Sequence, residues 1–204
     1  DQDSASSLVL LAVTNLTSVS INTISIPDDR YQTVIDVTDG IDTTRATSAQ
    51  FSIDHTAPTN VTLASPISNA FTNQEPVQFR YVPLDNVDPT LSCDLTLDGT
   101  VNKTGVQSSN AATAAVSIQG IRIGPHNWSV QCFDDTGRNA TSATETFRVD
   151  RKAPAVQLIA PENNALFSQE IVGVSYNVTD GFDPALSCSI LLNNAVVASQ
   201  TTAS

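Results

Sequence analysis

Cys93 and Cys132 are the residues of this chain best placed for covalent chemistry, 39 positions apart in segments that alternate apolar and polar residues. An inter-sheet disulfide fits that spacing, and closing such a loop contributes roughly 4 kcal/mol. Two buried free thiols are the other arrangement. Cys188 repeats the setting of Cys93, Leu-Ser-Cys in both, and its expected partner falls past residue 204, so it is unpaired in this chain. The histidines, His55 and His126, have no Ser or Cys at a spacing that builds a nucleophile. No His-x-x-x-His pair and no Gly-rich phosphate loop occurs. No catalytic residue and no cofactor is therefore expected, and the chain does not read as an enzyme.

Carboxylates are mostly aspartate, 17 Asp against 4 Glu, grouped as Asp36, Asp39 and Asp42, as Asp85 and Asp88, as Asp134 and Asp135, and as Asp180 and Asp183. Aspartate accepts hydrogen bonds from turn backbone, which accounts for such groups. Two loops at a domain joint also suit Ca²⁺, which takes six to eight oxygens. Asp54-His55 and Asp150-Arg151-Lys152 put basic residues at those joints, so the expectation is no metal. Six Asn-x-Ser/Thr sequons stand at Asn15, Asn60, Asn102, Asn127, Asn139 and Asn177. Asn60, Asn127 and Asn177 fall on outward positions of alternating strands, and Asn102 and Asn139 in turn regions, where a glycan has room.

These residues sit on a repeated frame. DHTAPTNVTLASPISNAF at Asp54–Phe71 returns as DRKAPAVQLIAPENNALF at Asp150–Phe167, and VDPTLSC at Val87–Cys93 as FDPALSC at Phe182–Cys188. Tyr31–Thr59 aligns without a gap to Asn127–Ala155, a shift of 96 residues. A fixed period means stacked copies of one unit. Residues 1–56 then read as the C-terminal half of one repeat, 57–152 as a complete repeat, and 153–204 as the N-terminal half of the next. A lone half exposes an apolar face, so each is expected to be completed by neighbouring repeats or copies of the same protein, head to tail. Completion within one continuous polypeptide is favoured over exchange between subunits. The first 17 residues fit the repeat poorly and are where an exchanged strand would lie.

Within each unit the pattern is strand. Val77, Phe79 and Tyr81 alternate with Gln78 and Arg80; Trp128, Val130 and Cys132 with Ser129 and Gln131; and Val172, Val174, Tyr176 and Val178 with Gly173, Ser175 and Asn177. Turn residues intervene at 64–66, 85–86, 98–99, 124–125 and 134–137. An all-β fold of tandem two-sheet sandwiches follows. Ala-Pro at 57–58 and 153–154 leaves short, stiff joints, so the array should be a rod.

The D-x-x-A-P joints, Leu-Ser-Cys in an early strand and HNWSVQC in a late one resemble the tandem immunoglobulin-like repeats of large archaeal and bacterial cell-surface or filament proteins. Trp128 stands four residues before the second cysteine and Val130 replaces the tyrosine of a Tyr-x-Cys corner, which sets the chain apart from antibody domains. The resemblance implies an extracellular, glycosylated structural array. An adhesin stalk or ligand-binding module, with loops such as Gly105–Ala114 variable, and an accessory domain of a secreted enzyme are the alternatives. A net charge of −12 speaks against nucleic acid and anionic membranes as partners. The longest apolar run, Leu8–Val13, is too short to span a bilayer.

Overall fold

The computed structural model describes residues 18–182 and 185–203. The first 17 residues, with Asn15 and the run Leu8–Val13, lie outside the described residues, as does Asp183. Everything described is strand, turn or irregular chain. In order the strands are β1 Asp29–Tyr31, β2 Val34–Thr38, β3 Thr43–Thr47, β4 Phe51–Ile53, β5 Asn60–Ser65, β6 Ala70–Thr72, β7 Val77–Leu84, β8 Thr90–Leu97 and β9 Thr100–Ser109. They continue as β10 Ala114–Ile118, β11 Gly124–Phe133, β12 Asn139–Thr141, β13 Glu145–Val149, β14 Ala155–Ala160, β15 Ser175–Thr179, β16 Ala185–Leu192 and β17 Ala195–Ala203.

Two sheets face each other between residues 60 and 149. One has the order β10-β7-β5, and the other β6-β13-β11-β8-β9 with β12 added along β11. Period-two patterning decides which side chains enter. Val77, Phe79 and Tyr81 are buried while Gln78 and Arg80 are exposed. From the opposite sheet come Leu91, Cys93 and Leu95 of β8, Trp128, Val130 and Cys132 of β11, and Phe147 and Val149 of β13. Phe79 meets Trp128 edge-on at 5.0 Å and Phe147 at 5.6 Å between ring centroids. Such pairs contribute about 0.5–1.5 kcal/mol each beyond the area they bury. Trp128 Nε1 donates to the Pro66 carbonyl at 3.0 Å, so the indole is buried without an orphaned donor. Tyr81 keeps its hydroxyl satisfied in the same way, 2.9 Å from Ser108 Oγ.

Cys93 and Cys132 are bonded, S–S 2.09 Å. The bridge is not inter-sheet. The two residues are directly opposite one another on β8 and β11, neighbours in the larger sheet, with Cα atoms 4.0 Å apart. Chain separation cannot distinguish the two arrangements, because β9 leaves β8 on its other side and β10 crosses to the facing sheet before β11 returns. Cys188, on β16, carries a free thiol and is half-buried.

The hairpin between β8 and β9 turns on Asp98 and Gly99, both at positive φ, +50° and +75°. Two consecutive left-handed residues match the twist of a two-residue hairpin, which is why glycine suits the second position. Asn193 and Asn194 do the same between β16 and β17, at +48° and +67°. Other expectations shift in detail. Gly124-Pro125 opens β11 and pairs with Val149 and Arg148 rather than forming a turn. Gly105–Ser109 continues β9, leaving only 110–113 as loop. Val172 and Val174 precede β15 and are exposed, since no second sheet among the described residues covers them.

The flanking segments build pairs without a comparable core. β1 pairs β4, β2 pairs β3, β14 pairs β15 and β16 pairs β17. Large apolar side chains there are open to solvent, among them Ile35, Val37, Val156, Leu158, Val196 and Val197.

The core makes a quantitative prediction. Trp128, 1 % exposed at the contact of the two sheets, should cost about 3–5 kcal/mol on truncation to alanine. Chemical denaturation of Trp128→Ala against the parent measures it, and a loss under about 1 kcal/mol is what a surface site would give.

Candidate functional site

The most organised polar region among the described residues surrounds the segment joining β4 to β5. Asp28, just before β1, accepts from the His55 backbone N–H at 2.9 Å and lies 2.7 Å from His55 Nδ1 through the same oxygen, Oδ1. Its Oδ2 accepts from Thr56 Oγ1 at 2.9 Å and from Asn86 Nδ2 at 3.4 Å. Burial pushes the Asp28 carboxyl up, but the His55 side chain, Thr56, the His55 N–H and Asn86 together outweigh it and hold it at about 2. Arg138 donates to the Asp54 carbonyl at 3.2 Å and to Thr136 Oγ1 at 2.6 Å, and Arg30 to the Val87 carbonyl at 3.5 Å. Side chains on both sides therefore brace the joint.

Beneath it lies the β7–β8 loop. Asn110 clamps that loop, donating to the carbonyls of Asp85 and Asp88 at 2.8 Å each and accepting from the Asp85 N–H at 3.0 Å. Asp85 Oδ1 accepts from the Val87 and Asp88 N–H groups at 2.8 and 2.7 Å, the turn role expected for aspartate. Asp134 does likewise in the β11–β12 turn, its Oδ1 accepting from Thr136 N, Thr136 Oγ1 and Arg138 N. Asp88 Oδ2 accepts from the Asp135 N–H at 2.7 Å, tying the two loops together. A carboxylate oxygen from each of Asp54, Asp85 and Asp88 lies within 4.8 Å of the other two. Burial raises the Asp88 pKa, and the charges of Asp135, Asp85 and Asp54 push it the same way against the Asp135 hydrogen bond.

The sequence pairs Asp85 with Asp88 but sets Asp54 apart from them. The fold unites the three. A signal was present, since the repeat carries Asp150, Asp180 and Asp183 at the corresponding positions. The basic residues of the joints are engaged elsewhere. His55 turns to Asp28, and Arg151 pairs with Glu75 while donating to the carbonyls of Ile121 and Gln74 at 2.8 Å.

His126 is half-buried in β11, its Nδ1 2.7 Å from Asp98 Oδ2 and its Nε2 2.8 Å from the Arg122 carbonyl. Both ring nitrogens thus serve to position a strand. The sequons Asn60, Asn102, Asn127, Asn139 and Asn177 all have exposed side chains. Asn102 and Asn139 lie in β9 and β12 rather than in turns, because β9 starts at Thr100 directly after the Asp98-Gly99 turn and β12 starts at Asn139 just after the turn at 134–137. Asn60 Nδ2 donates to the hydroxyl of its own sequon threonine, Thr62, at 2.9 Å. Asn139 Oδ1 accepts from Gln131 Nε2 at 2.8 Å.

No protein-family model matches this chain, and no curated protein matches it. Among solved structures it is similar to the fibronectin(III)-like modules of Clostridium thermocellum CbhA, at 18% identity and a TM-score of 0.45, over 69% of this chain and 73% of that one. No helix among the described residues is long and apolar enough to cross a membrane.

Asp28 sets an acid limit on the joint. Its folded pKa of about 2 lies below the ordinary 3.8, so its contribution to stability is present above pH 3.8 and lost as the pH falls towards 2. The melting temperature of Asp28→Asn should lie below the parent's at neutral pH, with the gap closing between about pH 4 and pH 2. A gap that persists unchanged at pH 2 contradicts the assignment.

Proposed function

We propose that this chain is part of a non-enzymatic structural array: repeats of an extended, glycosylated extracellular surface protein or filament in which each sandwich is a spacer. The observation that carries the reading is the distribution of buried apolar surface. A closed core occupies Val61 to Val149, whereas the strand pairs on either side leave Ile35, Val37, Val156, Leu158, Val196 and Val197 open. Further repeats of the same kind would cover those faces. Residues 1–56 and 153–204 are then halves of neighbouring units around the complete unit 57–152. Strand pairing supports the correspondence: β14 with β15 repeats β5 with β7, including the irregularity at Leu158/Ala160 that matches Leu63/Ser65, and β1 pairs β4 as the start of β11 pairs β13, one residue out of register.

Other features agree. A disulfide persists in oxidising compartments, which supports an extracellular setting. Exposed asparagines leave room for glycans, and a joint of a few residues braced by Asp28, Arg30 and Arg138 suits a stiff spacer rather than a swinging tether. Most of Gly105–Ala114 is strand, which leaves little loop there for recognition and favours the spacer over an adhesin.

The intact polypeptide decides. Mass determination from cells that carry the gene should give a species far above 21.6 kDa, composed of many such units. A mature species near 21.6 kDa plus glycans overturns the array. Glycopeptide mapping of the same material should find sugar on sequons such as Asn60 and Asn127; bare asparagine at all of them removes the glycoprotein part of the reading.

A further inference from the structure

We propose that Asp54, Asp85 and Asp88 form a calcium site that fastens the β4–β5 joint to the loops of the sandwich that follows. Oxygen separations of up to 4.8 Å suit one ion, because Ca²⁺ holds its ligands at about 2.3–2.6 Å and opposite ligands stand at about twice that distance.

Turn formation does not account for these carboxylates. In Asp54, Asp85 and Asp134 it uses one oxygen, Oδ1, which accepts from nearby N–H or hydroxyl groups. Oδ2 of all three is buried and accepts no hydrogen bond among the described residues. Asp85 and Asp134 are each 6 % exposed and Asp88 3 %. An acceptor taken out of water without a donor is unfavourable, and a cluster of negative charges is more so. None of the nearby cations forms an ion pair with these carboxylates among the described residues. His55 is held by Asp28, Arg138 points its Nη1 at the Asp54 carbonyl and the Thr136 hydroxyl, and Arg30 reaches the Val87 carbonyl.

A divalent cation resolves each of these at once. The ligands are all carboxylate oxygen, without His or Cys, so a hard cation fits and Zn²⁺ does not. Mg²⁺ is bound through one or two carboxylates and keeps several waters, whereas several protein carboxylates converging on one point suit Ca²⁺. Because Asp54 follows β4 directly and the other ligands belong to the next sandwich, the ion would stiffen the joint itself. The inference rests on these side chains and not on the spacer reading.

Titration of the purified, chelator-treated full chain with CaCl₂ tests it. Calorimetry should show saturable binding with a Kd of about 1 mM or tighter, as in extracellular calcium modules, and a higher melting temperature in Ca²⁺ than in chelator. In Asp85→Asn/Asp88→Asn the stoichiometry should fall by one site, while Asp42→Asn, exposed and remote from the cluster, leaves it unchanged. The near-UV signal of buried Trp128 reports whether each variant is folded. Should the double variant not fold, Asp54→Asn, at the half-buried ligand, should weaken the site at least tenfold. Absence of heat and of any thermal shift up to about 10 mM Ca²⁺ overturns the proposal. So does undiminished binding in the folded variants, and an equal response to Mg²⁺ overturns the assignment to calcium. The intact-mass measurement is unaffected by any of these results.

Discussion

Phe79 stands between Trp128 and Phe147, and the sandwich depends on that contact. One ring comes from the three-stranded sheet and two from the larger sheet, so the cluster is where the sheets are held face to face. The Cys93–Cys132 bridge lies on the same β8–β11 pair that presents the indole. It locks the two central strands of the larger sheet to each other, and the aromatic contact locks that sheet to its partner. The covalent bond thus constrains the unfolded chain, and burial holds the sheets together. Neither duty requires the other, which is why an intra-sheet disulfide suffices here.

Outside that core, polar interactions decide the geometry. At the joint, hydrogen bonds from Asp28, Arg30 and Arg138 tie the chain on either side together. Aspartate fits this work because its short side chain reaches the backbone two or three residues away while keeping a second oxygen for another partner. Asp85, Asp88 and Asp134 are buried at this end of the sandwich, and a carboxylate oxygen of Asp54 of the joint lies within 4.8 Å of one from each of Asp85 and Asp88. At the opposite joint a different chemistry is used. Arg151 reaches back to Glu75 and to the carbonyls of Gln74 and Ile121, so a single guanidinium fastens three points of chain.

The chain's own order determined a great deal. Alternation put Val77, Phe79, Tyr81, Trp128, Val130 and Cys132 inside, and all are buried. This pattern survives translation into three dimensions because a strand turns its side chains to opposite faces with period two whatever it pairs with. The Asp98-Gly99 turn is legible for a similar reason, since left-handed backbone selects its residues locally. The period of about 95 residues shows which segments correspond, as the paired positive-φ residues Asn69 and Asn164 illustrate.

Strand partners were decided only by the tertiary structure. Nothing local tells β8 that β11 will lie beside it in the same sheet and not across from it, so the disulfide was legible as a pair of residues and illegible as a geometry. Where strands stop is likewise non-local: β9 runs on through Gly105 because it has β8 to bond, and β15 begins after Val174 where its own pairing begins. The carboxylate cluster belongs to this second class. Asp54, Asp85 and Asp88 read as ordinary turn aspartates in the chain, and their carboxylates come together only when β5 and β7 pair and bring the joint over the β7–β8 loop.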